Sequence, residues 1–136
     1  MCGFVGYISN TENTIQKTIE NTINQMNKMI VHRGPDEEGY YSDDTIALGF
    51  RRLSIIDIEK GHQPLSYEDE RYWIIFNGEI YNYIELRKEL VDQGYTFKTD
   101  SDTEVILAAY SAYKENVVNK LRGMFAFVIW DKVEKV

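Results

Sequence analysis

This 136-residue chain contains one cysteine, two histidines and two prolines. A single cysteine excludes an internal disulfide and suits a reducing compartment, so a cytoplasmic protein is expected. No group of Cys, His and Asp has the spacing of a metal site, and no metal or cofactor is expected in this chain. No Gly-rich loop of the nucleotide-binding kind is present. No apolar run approaches the ~18 residues of a membrane span, and the start lacks the basic and apolar regions of a signal peptide. Basic residues form no stripe: 15 Lys and Arg stand against 22 Asp and Glu, for a net charge of −7. Nucleic acid is therefore not expected as a partner. Internal repeats, linkers and low-complexity segments are absent. What remains is 43% hydrophobic and 13% aromatic, which suits one globular domain with a core of its own.

Phe4-Val5-Gly6-Tyr7-Ile8 reads as a buried strand at the very start. Ile15, Ile19, Ile23, Met26 and Ile30 follow at helical spacing, and His32-Arg33-Gly34-Pro35-Asp36 ends that helix. Residues 38–43 and 45–53 read as two strands joined at Ser42-Asp43-Asp44, and Leu53 to Ile58 continues as an apolar-rich segment. Gly61-His62-Gln63-Pro64 is a turn, and Tyr67 to Glu70 is a polar hairpin tip. Arg71 to Phe76, aromatic and β-branched, is the clearest strand and runs into Asn77-Gly78. A helix is expected over 83–92, with Asn82 and Glu85 spaced like a capping box. The alternation over 95–99 suggests a short strand. Ser101 and Glu104 have capping-box spacing at the head of a helix reaching Tyr113, with Val105, Ile106, Ala109, Tyr110 and Tyr113 as its apolar face. Met124 to Trp130 reads as a buried strand, and 131–136 as a turn and the start of another. Hairpin-like pairs with interspersed helices predict an α+β fold of antiparallel sheet layered with helices. The sequence is expected to stop in the middle of a domain, leaving the fold incomplete at its C-terminus.

Cys2 directly follows the initiator methionine. If Met1 is removed, Cys2 carries a thiol and a free α-amine, with ordinary pKa values of about 8.5 and about 7.7–8.0. The amine can take the thiol proton and later return it to a leaving group, so one residue holds both nucleophile and base. With Met1 attached, that nitrogen is an amide and the chain would be inactive. A small buried cysteine is the plainer alternative. Asn77-Gly78 suits a hairpin turn, but a helix pattern follows it, and an Asn amide with a Gly N–H can both donate to one developing oxyanion. Glu79 lies beside the pair. Arg51-Arg52 ends an apolar strand, and arginine grips carboxylates through two N–H groups; a solvated edge arginine is the alternative. Asp102 falls in the first turn of a helix, where it also complements the helix dipole. Glu104 is better explained by capping, and His32 and His62 by turn structure.

Taken in order, Met1-Cys2-Gly3, Arg33-Gly34-Pro35-Asp36, Arg52-Leu53-Ser54-Ile55-Ile56-Asp57, Asn77-Gly78-Glu79-Ile80-Tyr81-Asn82, Ser101-Asp102-Thr103-Glu104 and Gly123-Met124-Phe125-Ala126-Phe127 resemble the glutaminase domain of class II glutamine amidotransferases, which are N-terminal-nucleophile hydrolases. Within them, the wording around Arg52 and Asn77 is most similar to the glutamine-hydrolysing asparagine synthetases. The resemblance spans residues 1–136 as one glutaminase domain. It implies that Cys2 forms a γ-glutamyl thioester with glutamine, Asn77 and Gly78 stabilise the oxyanion, Arg52 holds the α-carboxylate, and Glu79 and Asp102 hold the α-ammonium. It also implies a separate synthetase domain, using ATP and Mg²⁺, that receives the ammonia to amidate aspartate; a homodimer is left open. Phe50-Arg51 varies in the family and carries little weight. No ATP-pyrophosphatase loop is found, so this chain alone would perform at most the glutaminase half-reaction. Two other classes stay open: a non-catalytic module that keeps the fold, and a different N-terminal-nucleophile amidase or the glutaminase of another class II amidotransferase.

Overall fold

The computed structural model describes residues 2–9, 16–53 and 61–136. The chain divides into two compact units, the first running to Pro64 and the second from Leu65 to Glu134.

In the first unit, β1 (Gly3–Ile8) and β2 (Glu37–Ser42) flank β3 (Ile46–Arg52), antiparallel on both sides. Every residue of β3 is buried, as befits a central strand. Helix α1 (Gln16–Met29) lays Ile19 and Ile23 onto Ala47 of that strand, with Val5, Tyr7 and Met26 around them. The expected helical spacing is thus the packing surface; Ile15 lies outside the described residues. One 3₁₀ turn, Val31–Arg33, follows α1. The β2–β3 turn is made by Asp43, whose Oδ1 accepts from the Thr45 and Ile46 amides at 2.8 and 2.9 Å. An acid at this point satisfies amides that a turn leaves without ladder partners.

The second unit is a sheet ordered β4 (Leu65–Tyr67), β5 (Tyr72–Ile80), β6 (Gly123–Asp131), again antiparallel. Tyr72, Ile74, Phe76 and Ile80 alternate along β5 and form one buried cluster with Leu86 and Leu90 of α2 (Tyr83–Asp92) and with α3 (Asp102–Tyr113). All residues from Thr103 to Ala109 are buried, so α3 is enclosed on every side where the sequence suggested a single apolar face.

Five expectations need correction. β5 does not stop at Phe76 but carries Asn77 and Gly78 inside it to Ile80. Asn82 makes no side-chain cap; its amide instead donates to the Lys120 carbonyl (2.9 Å) and accepts from the Arg122 N–H (2.8 Å), clipping the entry of α2 to the entry of β6. Residues 95–99 form no strand, because the Lys98 and Thr99 amides are taken by the Glu104 carboxylate at 2.8 and 2.7 Å. β6 alternates between half-buried and exposed positions over most of its length, with Met124 exposed. After Asp131 there is a turn and no further strand among the described residues. The apolar-rich reading beyond Leu53 falls on 54–58, outside the described residues.

Ile74 is fully enclosed in the β5 cluster, so Ile74→Ala should destabilise the protein by about 2–5 kcal/mol, the range for buried large-to-alanine truncations. Denaturant unfolding checks this, with an unchanged midpoint as the contrary result.

Candidate active site

The candidate residues fall into two groups, one in each unit. In the first unit, the β1–β3 register sets Gly3 opposite Arg51, which brings Cys2 to the end of β3. There the Cys2 Sγ accepts from the Leu53 N–H at 3.5 Å and lies 3.9 Å from the Leu53 carbonyl. The thiol therefore sits one residue from Arg52. Arg33 donates from Nη2 to the Cys2 carbonyl at 3.3 Å, tying the Cys2 main chain to the turn after α1.

Arg51 and Arg52 point to opposite faces of β3, as neighbours in a strand must. Arg51 is a framework residue: its Nε donates to the Asn27 carbonyl (3.1 Å) and its Nη2 pairs with Glu38 (2.6 Å). Arg52, only 5% exposed, donates from Nη1 to Glu37 Oε2 at 3.2 Å. Glu37 also meets the His62 Nδ1. Burial alone would raise the Glu37 carboxyl, but its hydrogen bonds from His62 and Arg52 outweigh this and hold it below its ordinary value.

In the second unit, Asn77, Gly78 and Glu79 are consecutive on β5, with Asn77 half-buried and the other two exposed. Gly78 has φ +155°, and a Cβ there would lie 2.6 Å from the Phe125 Cα. Only glycine fits, because the neighbouring strand β6 occupies the space a side chain would need. The Asn77 amide makes no side-chain hydrogen bond among the described residues, so its donors are not committed to the fold. Asp102 opens α3 and accepts from the Ile80 N–H at 3.1 Å. Burial raises its carboxyl above the ordinary value against the lowering effect of backbone hydrogen bonds, and the Glu79 charge adds to the rise. Ser101 caps α3, accepting from the Glu104 N–H at 3.3 Å. Glu104 is buried on loop amides, which agrees with a structural role.

The chain matches the model of the glutamine amidotransferase domain over residues 1–136. It belongs to that family. It is 65% identical, over its whole length, to asparagine synthetase [glutamine-hydrolyzing] 1 of Bacillus subtilis strain 168, of which it covers 22%. It is 43% identical over 107 residues, 79% of this chain, to asparagine synthetase B [glutamine-hydrolyzing] of Escherichia coli K12, covering 19% of that protein. The chain thus spans about a fifth of the length of these curated relatives. Among solved structures it resembles the glutamine phosphoribosylpyrophosphate amidotransferase of B. subtilis, with a TM-score of 0.53 and 27% identity, over 63% of this chain and 21% of that one. The α+β class with antiparallel sheets, expected from the sequence, is the fold of this amidotransferase family.

Two residues near the site were not singled out by the sequence reading. Arg33 was part of a motif without a role. Glu37 becomes visible only when the hairpin is counted outward from its Asp43 turn, which sets Glu37 opposite Arg52. Among the described residues no group of three or more His, Cys, Asp or Glu could hold a metal ion, and no helix is long and apolar enough to cross a membrane.

A carboxyl whose folded pKa is raised favours the folded state below its ordinary value of 3.8 and loses that contribution as pH rises through the folded value. Asp102→Asn, which keeps an oxygen for the Ile80 N–H, should therefore raise Tm at neutral pH, with the gain fading as pH falls through the raised folded value and gone below 3.8. Thermal melts across pH test this; a lower Tm for the variant at pH 7 would contradict it.

Proposed function

We propose that this domain hydrolyses glutamine to glutamate and ammonia at Cys2, and that it does so as the glutaminase part of a glutamine-hydrolysing asparagine synthetase. The observation that carries the reading is the Cys2 thiol held at Leu53, beside Arg52, in a chain of the glutamine amidotransferase family. The 65% identity to a B. subtilis asparagine synthetase supports the choice of acceptor pathway. Aspartate would be amidated by an ATP- and Mg²⁺-dependent synthetase domain of the full protein, which we place in the cytoplasm; the homodimer of the sequence reading stays part of this proposal.

The chemistry follows from the residues. With Met1 removed, the Cys2 α-amine takes the thiol proton and the sulfur attacks the side-chain carbonyl carbon of glutamine. Asn77 Nδ2 and the Gly78 N–H donate to the oxygen as it gains charge. The Cys2 ammonium then gives its proton to the departing nitrogen, ammonia leaves, and a γ-glutamyl thioester remains. Water, deprotonated by the same amine, attacks the thioester; glutamate and the free thiol result. Arg52 complements the α-carboxylate, and Glu79 with Asp102 the α-ammonium, so a zwitterionic amino acid meets one cation and two acids. The likeness to a phosphoribosylpyrophosphate amidotransferase supports a second reading, in which the same glutaminase serves another acceptor. Supplying aspartate with ATP, or phosphoribosyl pyrophosphate, to the full protein with glutamine separates the two.

Cys2→Ala should abolish release of glutamate and ammonia from glutamine in folded protein. Asn77→Ala should lower kcat by about 10²–10³, the loss typical of one oxyanion donor; a wild-type kcat would remove the proposed hole. Arg52→Ala should chiefly raise KM for glutamine if its contact is equal in the ground and transition states. Full turnover by Cys2→Ala would end the reading.

A further inference from the structure

We infer that Asn82 is a positioning residue for the oxyanion donors: its side-chain amide pins the end of the β5–β6 ladder, and so fixes the place of Asn77 and the direction of the Gly78 N–H. The inference rests on the reading of Asn77 and Gly78 as those donors.

All the parts lie in the second unit. Strand β5 ends at Ile80, and α2 begins at Tyr83. One more rung follows the strand, because the Tyr81 N–H donates to the Arg122 carbonyl at 2.7 Å. A regular antiparallel rung would return the Arg122 N–H to the Tyr81 carbonyl. The Asn82 Oδ1 takes it instead, at 2.8 Å, while Nδ2 donates to the Lys120 carbonyl at 2.9 Å. The Asn82 carbonyl meanwhile accepts from the Leu86 N–H at 3.1 Å, opening the helix. One residue thus starts α2 with its main chain and closes the ladder with its side chain. A carboxylate could accept from Arg122 but could not donate to Lys120.

That rung sets the phase of the ladder. N–H groups alternate in direction along an antiparallel strand. Tyr81 turns its N–H toward β6, so Ile80 and Gly78 turn theirs away. The Ile80 N–H does so, reaching Asp102 at 3.1 Å. The Gly78 N–H leaves by the same edge, past Ile74, where pairing with β4 ends. The Asn77 side chain projects from the face opposite Phe76 and Ile80, which are buried in the core cluster. A slip of one residue would exchange both edges and faces. The stretch that must hold this register is made loose by glycine. On β6, Gly123 has φ +159°, and a Cβ there would lie 3.0 Å from the Glu79 carbonyl carbon and 3.1 Å from Ile80 Cα. Close approach requires glycine at 78 and at 123, and glycine is the residue freest to leave an extended conformation. Asn82 pins the rungs beyond them.

The test is steady-state glutaminase kinetics of the full, Met1-free protein, with rates referred to folded molecules. Asn82→Ala should lower kcat by about 10–10²-fold, the scale of a misplacement of up to ~1 Å. KM should rise less than about threefold, because the Glu79 side chain can follow a small main-chain shift by rotation and a main-chain N–H cannot. Asn82→Asp, which still accepts from Arg122, should lower kcat by a smaller factor, and it carries the test if the alanine variant does not fold. Asn77→Ala and Asn82→Ala together should cost less than the product of their separate losses, since both act on one hole. Leu90→Ala, buried near the far end of α2, should destabilise the protein while leaving kcat within about twofold. A wild-type kcat in the folded Asn82 variants, fully multiplicative losses, or an equal fall in Leu90→Ala would overturn the role of Asn82. If Asn77→Ala itself leaves kcat unchanged, the oxyanion reading fails and the role of Asn82 with it. If Asn77→Ala lowers kcat while the Asn82 variants do not, the role of Asn82 alone fails.

Discussion

The antiparallel register of β3 against its two neighbours is the constraint on which the first unit's chemistry depends. On one side it sets Gly3 opposite Arg51, and so brings Cys2 to the strand's end. On the other it sets Glu37 and Glu38 opposite Arg52 and Arg51. Two acids facing two bases across a ladder discriminate against other registers, since a slip of one residue turns every side chain to the other face. After such a slip Arg51 would leave the Asn27 carbonyl and Arg52 would face α1. The register is also pinned locally, because the Asp43 carboxylate fixes where the hairpin turns. A short polar turn therefore controls a position nine residues further along, where Arg52 stands.

The second unit shows the opposite balance between site and stability. Asp102 is placed where burial and the Glu79 charge both oppose its ionisation. Asp102 at the head of α3 complements the helix dipole, while Glu79 on β5 adds a second negative charge that opposes its ionisation. Under the role proposed for the pair, a substrate α-ammonium would relieve both burdens at once, by neutralising the acids and by replacing lost water. Glu104, two residues away, carries no such burden: its oxygens are saturated by the Lys98 and Thr99 amides and the Thr99 hydroxyl.

Most of this was legible in the sequence where periodicity and turn chemistry agree. Helix α1 follows its apolar spacing, and the β2–β3 hairpin follows its Ser-Asp-Asp turn. The failures share one cause, competition for local groups from elsewhere in the chain. Residues 95–99 alternate like a strand, yet a carboxylate later in the chain takes their amides. Asn82 has cap spacing, yet its amide is drawn to Lys120 and Arg122, 38 and 40 residues away. Asn77-Gly78 looks like a strand's end, but pairing with β6 carries the strand through it, because the +155° φ of Gly78 suits this close approach. Of the proposed site, Cys2, Arg52, Asn77, Gly78, Glu79 and Asp102 are singled out by motifs. Glu37 is not, since its meaning lies in the residue it faces.

The surroundings of the thiol constrain how it can be activated. Among the described residues, both hydrogen-bond contacts of the Cys2 Sγ are with the main chain of Leu53. A cysteine nucleophile of the triad kind would have an imidazole within hydrogen-bond reach. Here His32 is exposed in the turn after α1 and His62 is occupied with Glu37. Main-chain groups can orient a thiol and support the sulfur, but a carbonyl cannot accept and hold its proton. The remaining base within the same residue is the α-amine, which becomes one only when the bond to Met1 is cut. Removal of the initiator methionine is then the activating step of the proposed glutaminase, and the Arg33 hydrogen bond to the Cys2 carbonyl gains a purpose: it holds the new terminus in place once the chain before it is gone.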